Sequence, residues 1–350
     1  MRHSDTRLEH TSGEGRSVQA WAPGRVNLIG EHTDYNDGLC LPFALQSGIS
    51  VTATLIEGGD RIEAHAADLA ENDSFPVADP TPAEGWRAYV RGAVGELRDA
   101  GVQIRAARLE ISGDLPRDAG LSSSAALTVA LCLALGGAPA DPIELARLCS
   151  RVENEWTGAQ TGLLDQLAVL CSSADHAIRI DMRGPLIEPV PLDLRGHALA
   201  TIDSGAERHL AGSGYNERRA ECERAAELLG VASLRDATSA EGLPAPLDRR
   251  VRHVLSENER VDGAVAALRA GDLLELGRLL DASHASLRDD YEVSVPEVER
   301  TVDACKDAGA LGARIVGGGF GGAVLALFGP GARLPDGAVE AVPGPPARLL

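Results

Sequence analysis

A chain of 350 residues, 44% of them hydrophobic, is long and apolar enough to bury the cores of two domains, which excludes a disordered polypeptide. With aromatics at only 3%, those cores must be built mainly from Leu, Val, Ile and Ala. The 33 basic and 52 acidic residues leave a formal charge of −19, a surface that repels nucleic acid and anionic membrane and makes neither an expected partner.

The chain opens on a polar leader, residues 1–16, that lacks the apolar core of a signal peptide. No stretch approaches the roughly 18 apolar residues of a membrane span, so the expected location is cytoplasmic. Ser17 to Trp21 reads as a strand ending at Pro23-Gly24, and a second apolar piece, Val26 to Ile29, follows. The run from Gly24 to Gly38 crowds Arg25, Glu31, His32, Thr33 and Asp34 around glycines and Asn27. That density of donors and acceptors suits several neighbouring hydroxyls, as on a sugar; a solvated acidic loop is the plainer reading. A metal reading of His32 with Glu31 and Asp34 lacks a second His.

Residues 49–56 and 108–112 are strand-like. After Gly120 the period changes, and Ala125 to Leu135 reads as a buried helix closed by Gly136-Gly137. Pro116 to Ala126 places a glycine and then Ser122, Ser123 and Ser124 at the opening of that helix. Unpaired N–H groups and the positive end of the dipole meet there, an arrangement that takes anions. The run is not a P-loop, since Gly-x-x-x-x-Gly-Lys-Ser/Thr is absent from the sequence.

Asp141 as N-cap, Pro142 at the first position and Glu144 in a capping box predict the next helix, with Leu145, Leu148, Cys149, Val152 and Trp156 on one face. Glu153 falls about 80° from the centre of that stripe, at roughly 100° per residue. Asp165 lies opposite Leu163, Leu167 and Leu170, where periodicity alone predicts a solvated helix face. Around residues 180–200 the pattern turns Pro-rich and strand-like, and a domain boundary is placed there, giving 17–190 and 191–350. Helices are predicted at 215–229, 247–270 and 272–288. The mixture, without a steady βαβ rhythm, predicts α+β layers.

The strand-like Ala313 to Val316 leads into Gly317 to Gly322, which satisfies Gly-x-Gly-x-x-Gly literally. A dinucleotide site needs a helix to follow, whereas the next residues, AVLALF, have strand length before Gly329-Pro330. A glycine turn that lets backbone approach a ligand or another loop fits better. The cysteines, Cys40, Cys132, Cys149, Cys171, Cys222 and Cys305, form no close pair and suggest neither a zinc site nor a redox motif.

The Gly24–Gly38 run closely resembles the signature of the galactokinase family. Gly-Leu-Ser-Ser-Ser-Ala resembles the phosphate motif of GHMP kinases, and Gly-Gly-Gly-Phe-Gly-Gly their C-terminal motif. Gly162 to Gln166, Gly214 to Arg219 and Tyr291 to Ser294 keep the family's order. Val316 and Leu164 depart from it, standing where many relatives have Thr and Met. The resemblance implies a two-domain fold: an N-terminal domain with a left-handed βαβ unit, a ferredoxin-like C-terminal domain, and an active site between them.

It further implies ATP-dependent phosphorylation of the anomeric hydroxyl of galactose, with Mg²⁺. By motif, Glu31, His32, Thr33, Asp34, Gly162, Asp165 and Tyr215 would contact the sugar. Asp118, Ala119, Gly120, Leu121, Ser122, Ser123 and Ser124 would hold the phosphates, and Trp86 would line the adenine pocket. Ser124 and Glu153 would serve Mg²⁺, while Arg25 and Asp165 would flank the reacting hydroxyl. Asp165 is either a general base or a group that orients the hydroxyl and takes the proton late. A kinase for N-acetylgalactosamine or L-arabinose is the alternative, as is a non-catalytic galactose and ATP sensor. No protein partner is implied.

Overall fold

A computed structural model describes residues 15–115, 120–137, 141–159, 161–206 and 211–350. Asp118 and Ala119, expected in the phosphate loop, lie outside the described residues, as does most of the polar leader. The expected α+β organisation is found, with three sheets among the described residues.

The first strand, β1 (Ser17–Asn27), does not end at Pro23-Gly24 as expected; its register against the next long strand shifts between Pro23 and Arg25. Pro23 cannot donate to a ladder and Gly24 has no side chain, so the chain absorbs both as an irregularity and continues. A Cβ on Gly24 would stand 2.8 Å from Leu121 O. This close approach lets Arg25 N donate to Leu121 O at 3.0 Å.

The strand β2 (Leu39–Cys40) is followed by β3 (Pro42–Leu55), β4 (Arg61–Ala66), β5 (Glu71–Pro76), α1 (Trp86–Asp99) and β6 (Ala107–Gly113). β4 and β6 run parallel, with β5 and α1 in the crossover between them. Next come α2 (Ser123–Gly136), α3 (Pro142–Arg151) and α4 (Leu164–Cys171). Every side chain of α2 from Ala125 to Ala134 is buried, so the helix is apolar all round. Asp141 caps α3, accepting from Ile143 N at 2.9 Å.

A single π turn, Val152–Trp156, follows α3. Trp156 packs where α1 has Gly92 and Gly95; a Cβ on Gly95 would stand 2.3 Å from its ring.

β7 (His176–Asp181) and β8 (Leu186–Pro191) form a small sheet with β2. After β9 (Ala198–Asp203) come α5 (Ala211–Leu229), α6 (Leu247–Ala270), α7 (Leu273–Asp289) and α8 (Pro296–Asp307). Then β10 (Ala310–Ile315) and β11 (Ala323–Phe328) flank the glycine cluster. A strand follows those glycines, so they make no dinucleotide turn.

Two short strands, β12 (Val339–Glu340) and β13 (Arg348–Leu349), end the chain. They complete a four-stranded sheet, β10-β11-β9-β12, and the edge of a six-stranded one, β13-β1-β3-β6-β4-β5. Among the described residues no helix is long and apolar enough to cross a membrane.

Candidate active site

The segment after β1 is a tight loop. Gly30 has φ 100°, and the non-glycine residues His32 and Asp37 have φ 61° and 55°. Such left-handed positions persist only where neighbours over-determine them. The Thr33 hydroxyl donates toward Gly30 O and Leu39 O at 2.9 and 2.7 Å. Thr33 is fully buried and serves the loop itself; it does not line the cavity described below.

One face of α6 holds the loop from behind. Gly30 N donates to Glu257 Oε1 at 3.0 Å, Leu39 N to Asn258 Oδ1 at 2.7 Å, and His253 Nε2 to Glu31 O at 3.1 Å. Burial would raise the Glu257 carboxyl, but Arg260, His253 and Arg314 hold it down to about 2. These residues escaped the sequence reading because buried charge on a helix looks like ordinary surface polarity.

Loop and glycine cluster meet at Glu31. Its Oε1 accepts from Gly317 N at 2.8 Å and pairs with Arg314 at 3.1 Å. Arg314 is fully buried and donates to Asn27 O and Leu28 O at 2.8 and 3.2 Å. Burial, with His253 and Arg218 nearby, lowers His32 to about 3, so it is neutral at physiological pH. Its Nδ1 shares a 2.8 Å hydrogen bond with Tyr35 Oη, which meets Tyr291 Oη at 3.0 Å. Burial, then the charge of Asp165, raises Asp34 to about 6.

Arg25 and Asp165 form a close pair. Arg25 Nε and one terminal nitrogen each stand 2.6 Å from Asp165 Oδ1, and the other donates to Gly120 O at 2.8 Å. Ser122 Oγ donates to Asp165 Oδ2. The solvated face expected for Asp165 is corrected: its side chain is 24% exposed and lines a cavity of about 410 Å³. Tyr215 and Gly317, from the C-terminal half of the chain, close that cavity from the far side, so the polar face of α4 meets a cleft instead of bulk water. Arg25, Glu31, His32, Asp34, Gly162 and Tyr215 share the lining. Gly162 gives the Asp34 carboxylate room here: a Cβ would stand 2.1 Å from Asp34 Oδ2 and force that side chain to shift.

A second cavity, about 390 Å³, opens at the N-terminus of α2 and is lined by Ser123, Ser124, Leu127, Trp86 and Tyr89. Trp86 Nε1 donates to Glu71 Oε2 at 2.8 Å, which fixes the indole at the rim. Gly120 and Leu121 contribute carbonyls to Arg25, and the Leu121 side chain is buried in the core.

Glu153, only 3% exposed, lies on the π turn; the extra residue per turn displaces it from its regular helical angle. Its Oε2 accepts from Thr161 Oγ1 and Gln166 Nε2 at 2.9 and 3.0 Å, while Oε1 is buried without a partner. Burial and then Asp165 raise its pKa, with the Ser124 hydroxyl opposing. An orphaned carboxylate oxygen beside a serine hydroxyl fits a hard cation such as Mg²⁺, which prefers one or two carboxylates completed by phosphates and water. Among the described residues no group of three His, Cys, Asp or Glu is placed to hold a metal alone.

Residues 9–55 match the family description "Galactokinase galactose-binding signature", 88–173 the GHMP kinase N-terminal domain and 264–342 the GHMP kinase C-terminal domain. The galactokinase of Streptomyces coelicolor is 43% identical over 323 residues, 87% of this chain and 83% of its own. That of Mycobacterium bovis is 46% identical over 325 residues, 89% of each. The crystal structure of Lactococcus lactis galactokinase complexed with galactose superposes with TM-score 0.87 at 32% identity, covering 95% of both chains. Mevalonate kinase of Methanococcus jannaschii, with TM-score 0.66 at 18% identity over 91% and 92% of the chains, shares the fold.

Proposed function

The chain belongs to the galactokinase family of GHMP kinases, and on that premise we propose how its residues divide the work. Its reaction is the ATP-dependent phosphorylation of D-galactose to galactose 1-phosphate. The observation that carries the assignment of roles is the Arg25–Asp165 pair, which lines the first cavity while Ser122 ties it to the helix that opens the second.

Galactose occupies the first cavity, accepted by Glu31 and Asp34 and ordered by His32, Tyr215 and the Gly162 backbone. ATP phosphates take the open N–H groups of α2 at Ser122 to Ser124, with the base toward Trp86. Ser124 and Glu153 would hold Mg²⁺. When bound, that ion supplies charge neutralisation to the phosphates. The anomeric oxygen bonds to the γ-phosphorus as the bond to the β–γ bridging oxygen breaks. Arg25 meets the charge on the transferring group, and Asp165 orients the hydroxyl and takes its proton late. We place the division of labour at 17–190, which supplies the reacting pair and the phosphate helix, and 191–350, which supplies Tyr215 and Gly317.

A galactose sensor on the same fold would need neither Arg25 nor Asp165, and both stand in hydrogen-bonded geometry. The test is phosphorus NMR of the product. A single anomeric phosphate is expected, with none formed when EDTA removes divalent ions. A phosphate on the 6-hydroxyl would refute the placement of the Arg25–Asp165 pair.

Asp34 sets an acid limb. As a carboxyl raised to about 6, it is neutral below that pH and an acceptor above it. For galactose, kcat/KM should rise through about pH 6 and level off, and Asp34→Asn should lose the inflection. Because the folded pKa exceeds the unfolded one, ionising Asp34 costs stability. The free enzyme should therefore lose stability from this group as pH rises from about 4 to about 6. An acid limb unchanged in Asp34→Asn would assign it to another group.

A further inference from the structure

Ser122 is in an unusual position for a helix N-cap. Its φ is 56°, in the left-handed region, and its side chain makes no capping bond to α2. The usual role of a serine there, accepting from an N–H of the first turn, is abandoned. The hydroxyl donates instead to Asp165 Oδ2. With Arg25 on Oδ1, both oxygens of the reacting carboxylate carry hydrogen bonds from side chains of the protein itself.

Asp165 lines the sugar cavity, while Ser123 and Ser124, the next residues after Ser122, line the other. A serine hydroxyl has one proton and can donate one hydrogen bond at a time. An ionised carboxylate only accepts, and so does a phosphate oxygen, so the two compete for that proton. A phosphate seated at the start of α2 offers more negative charge and lies against the open N–H groups of the helix.

We propose that Ser122 is a positioning residue that couples nucleotide binding to sugar binding. In the free enzyme its proton occupies Asp165 Oδ2; when a nucleotide phosphate arrives the hydroxyl turns to it, and Oδ2 becomes free to accept the anomeric hydroxyl. Bound nucleotide therefore raises galactose affinity, and by reciprocity galactose raises nucleotide affinity by the same factor. The inference rests on the placement of sugar and phosphates proposed above.

The test is calorimetric titration of galactose into the full chain, with and without a non-hydrolysable ATP analogue and Mg²⁺. For the wild type, the analogue should tighten galactose binding about 5- to 50-fold, the range of one charge-assisted hydrogen bond exchanged between states. Ser122→Gly removes the hydroxyl and accepts a positive φ without strain. It should bind galactose more tightly than wild type when nucleotide is absent, and its coupling factor should fall to within about twofold of one. Ser122→Ala, which lacks the same proton, should agree, and thermal melts of both variants report whether the fold is kept.

A variant that keeps the wild-type coupling factor overturns the proposal, as does a wild type without coupling. A wild type that binds the analogue but no galactose sinks the sugar-site reading itself, a result distinct from either.

Discussion

Asp165→Ala should lower kcat about 10³-fold and raise the galactose KM by no more than the roughly 5- to 50-fold that its hydrogen bond to the anomeric hydroxyl contributes to binding. The asymmetry follows from the geometry. Galactose is held by acceptors on the loop after β1 and by Tyr215, none of which needs Asp165 for its position. Asp165 faces the reacting hydroxyl, with Arg25 on one oxygen and Ser122 on the other. An interaction made chiefly in the transition state is lost from kcat and kcat/KM together.

Removal also strands Arg25, 6% exposed, whose remaining side-chain hydrogen bond runs to Gly120 O. Burial works against its charge, and Asp165 is the largest favourable influence on it. Asp165→Asn separates the two possible roles. An Asn can still orient a hydroxyl but accepts no proton. Activity close to wild type would assign orientation, and a fall matching Ala would assign proton acceptance. Asp165→Ala within about threefold of wild type would remove Asp165 from the chemistry.

The second large effect is on stability. Arg314→Met should destabilise the chain by about 3–5 kcal/mol, the usual result of removing one partner from a buried ion pair. Arg314 is fully buried, donates to two carbonyls of β1 and the loop after it, and pairs with Glu31 at 3.1 Å. Met fills much of the volume but leaves Glu31 and both carbonyls short of a donor.

Among the described residues Gly317 N would then be the remaining donor to Glu31 Oε1, so galactose KM should rise along with the loss of stability. Pairing Arg314→Met with Glu31→Gln should recover part of the lost stability, because the second change removes the stranded charge. Denaturant unfolding of the three variants measures this. A loss under about 1 kcal/mol, or no recovery in the pair, would show that the buried contact has little energetic weight.

Much of the fold could be read from local chemistry. The helix at 247–270 was expected from periodicity and is found over Leu247–Ala270, ending where Gly271 adopts φ 68°. The strand after the glycine cluster followed from the length of AVLALF alone. What failed was long-range. β1 crosses Pro23-Gly24 because β3 and Leu121 wait on the other side, and no local rule contains that. The short, Pro- and Gly-rich chain after Phe328 carries no local strand signal, yet β13 pairs with Ala20 and Trp21 at the far end of the sequence.

The site shows the same split. Glu31, His32 and Asp34 stood out as a dense polar run, whereas Asp165 looked like a solvated helix face because the cleft it faces belongs to other elements. Its role came only from the motif around it. Glu257, His253 and Asn258 carried no signal, since their partners are backbone groups more than 200 positions away.

The most direct test of the account is turnover in an ATP-to-ADP coupled assay with Mg²⁺, comparing galactose with glucose, galacturonate and mevalonate. A site built to pair each hydroxyl penalises a sugar that misplaces one, and the Glu31 and Asp34 carboxylates repel a uronate. The kcat/KM for galactose should lie at least about 100-fold above each of the others. Equal or better turnover of any of them, or no turnover of galactose by a chain that binds ATP, would contradict it.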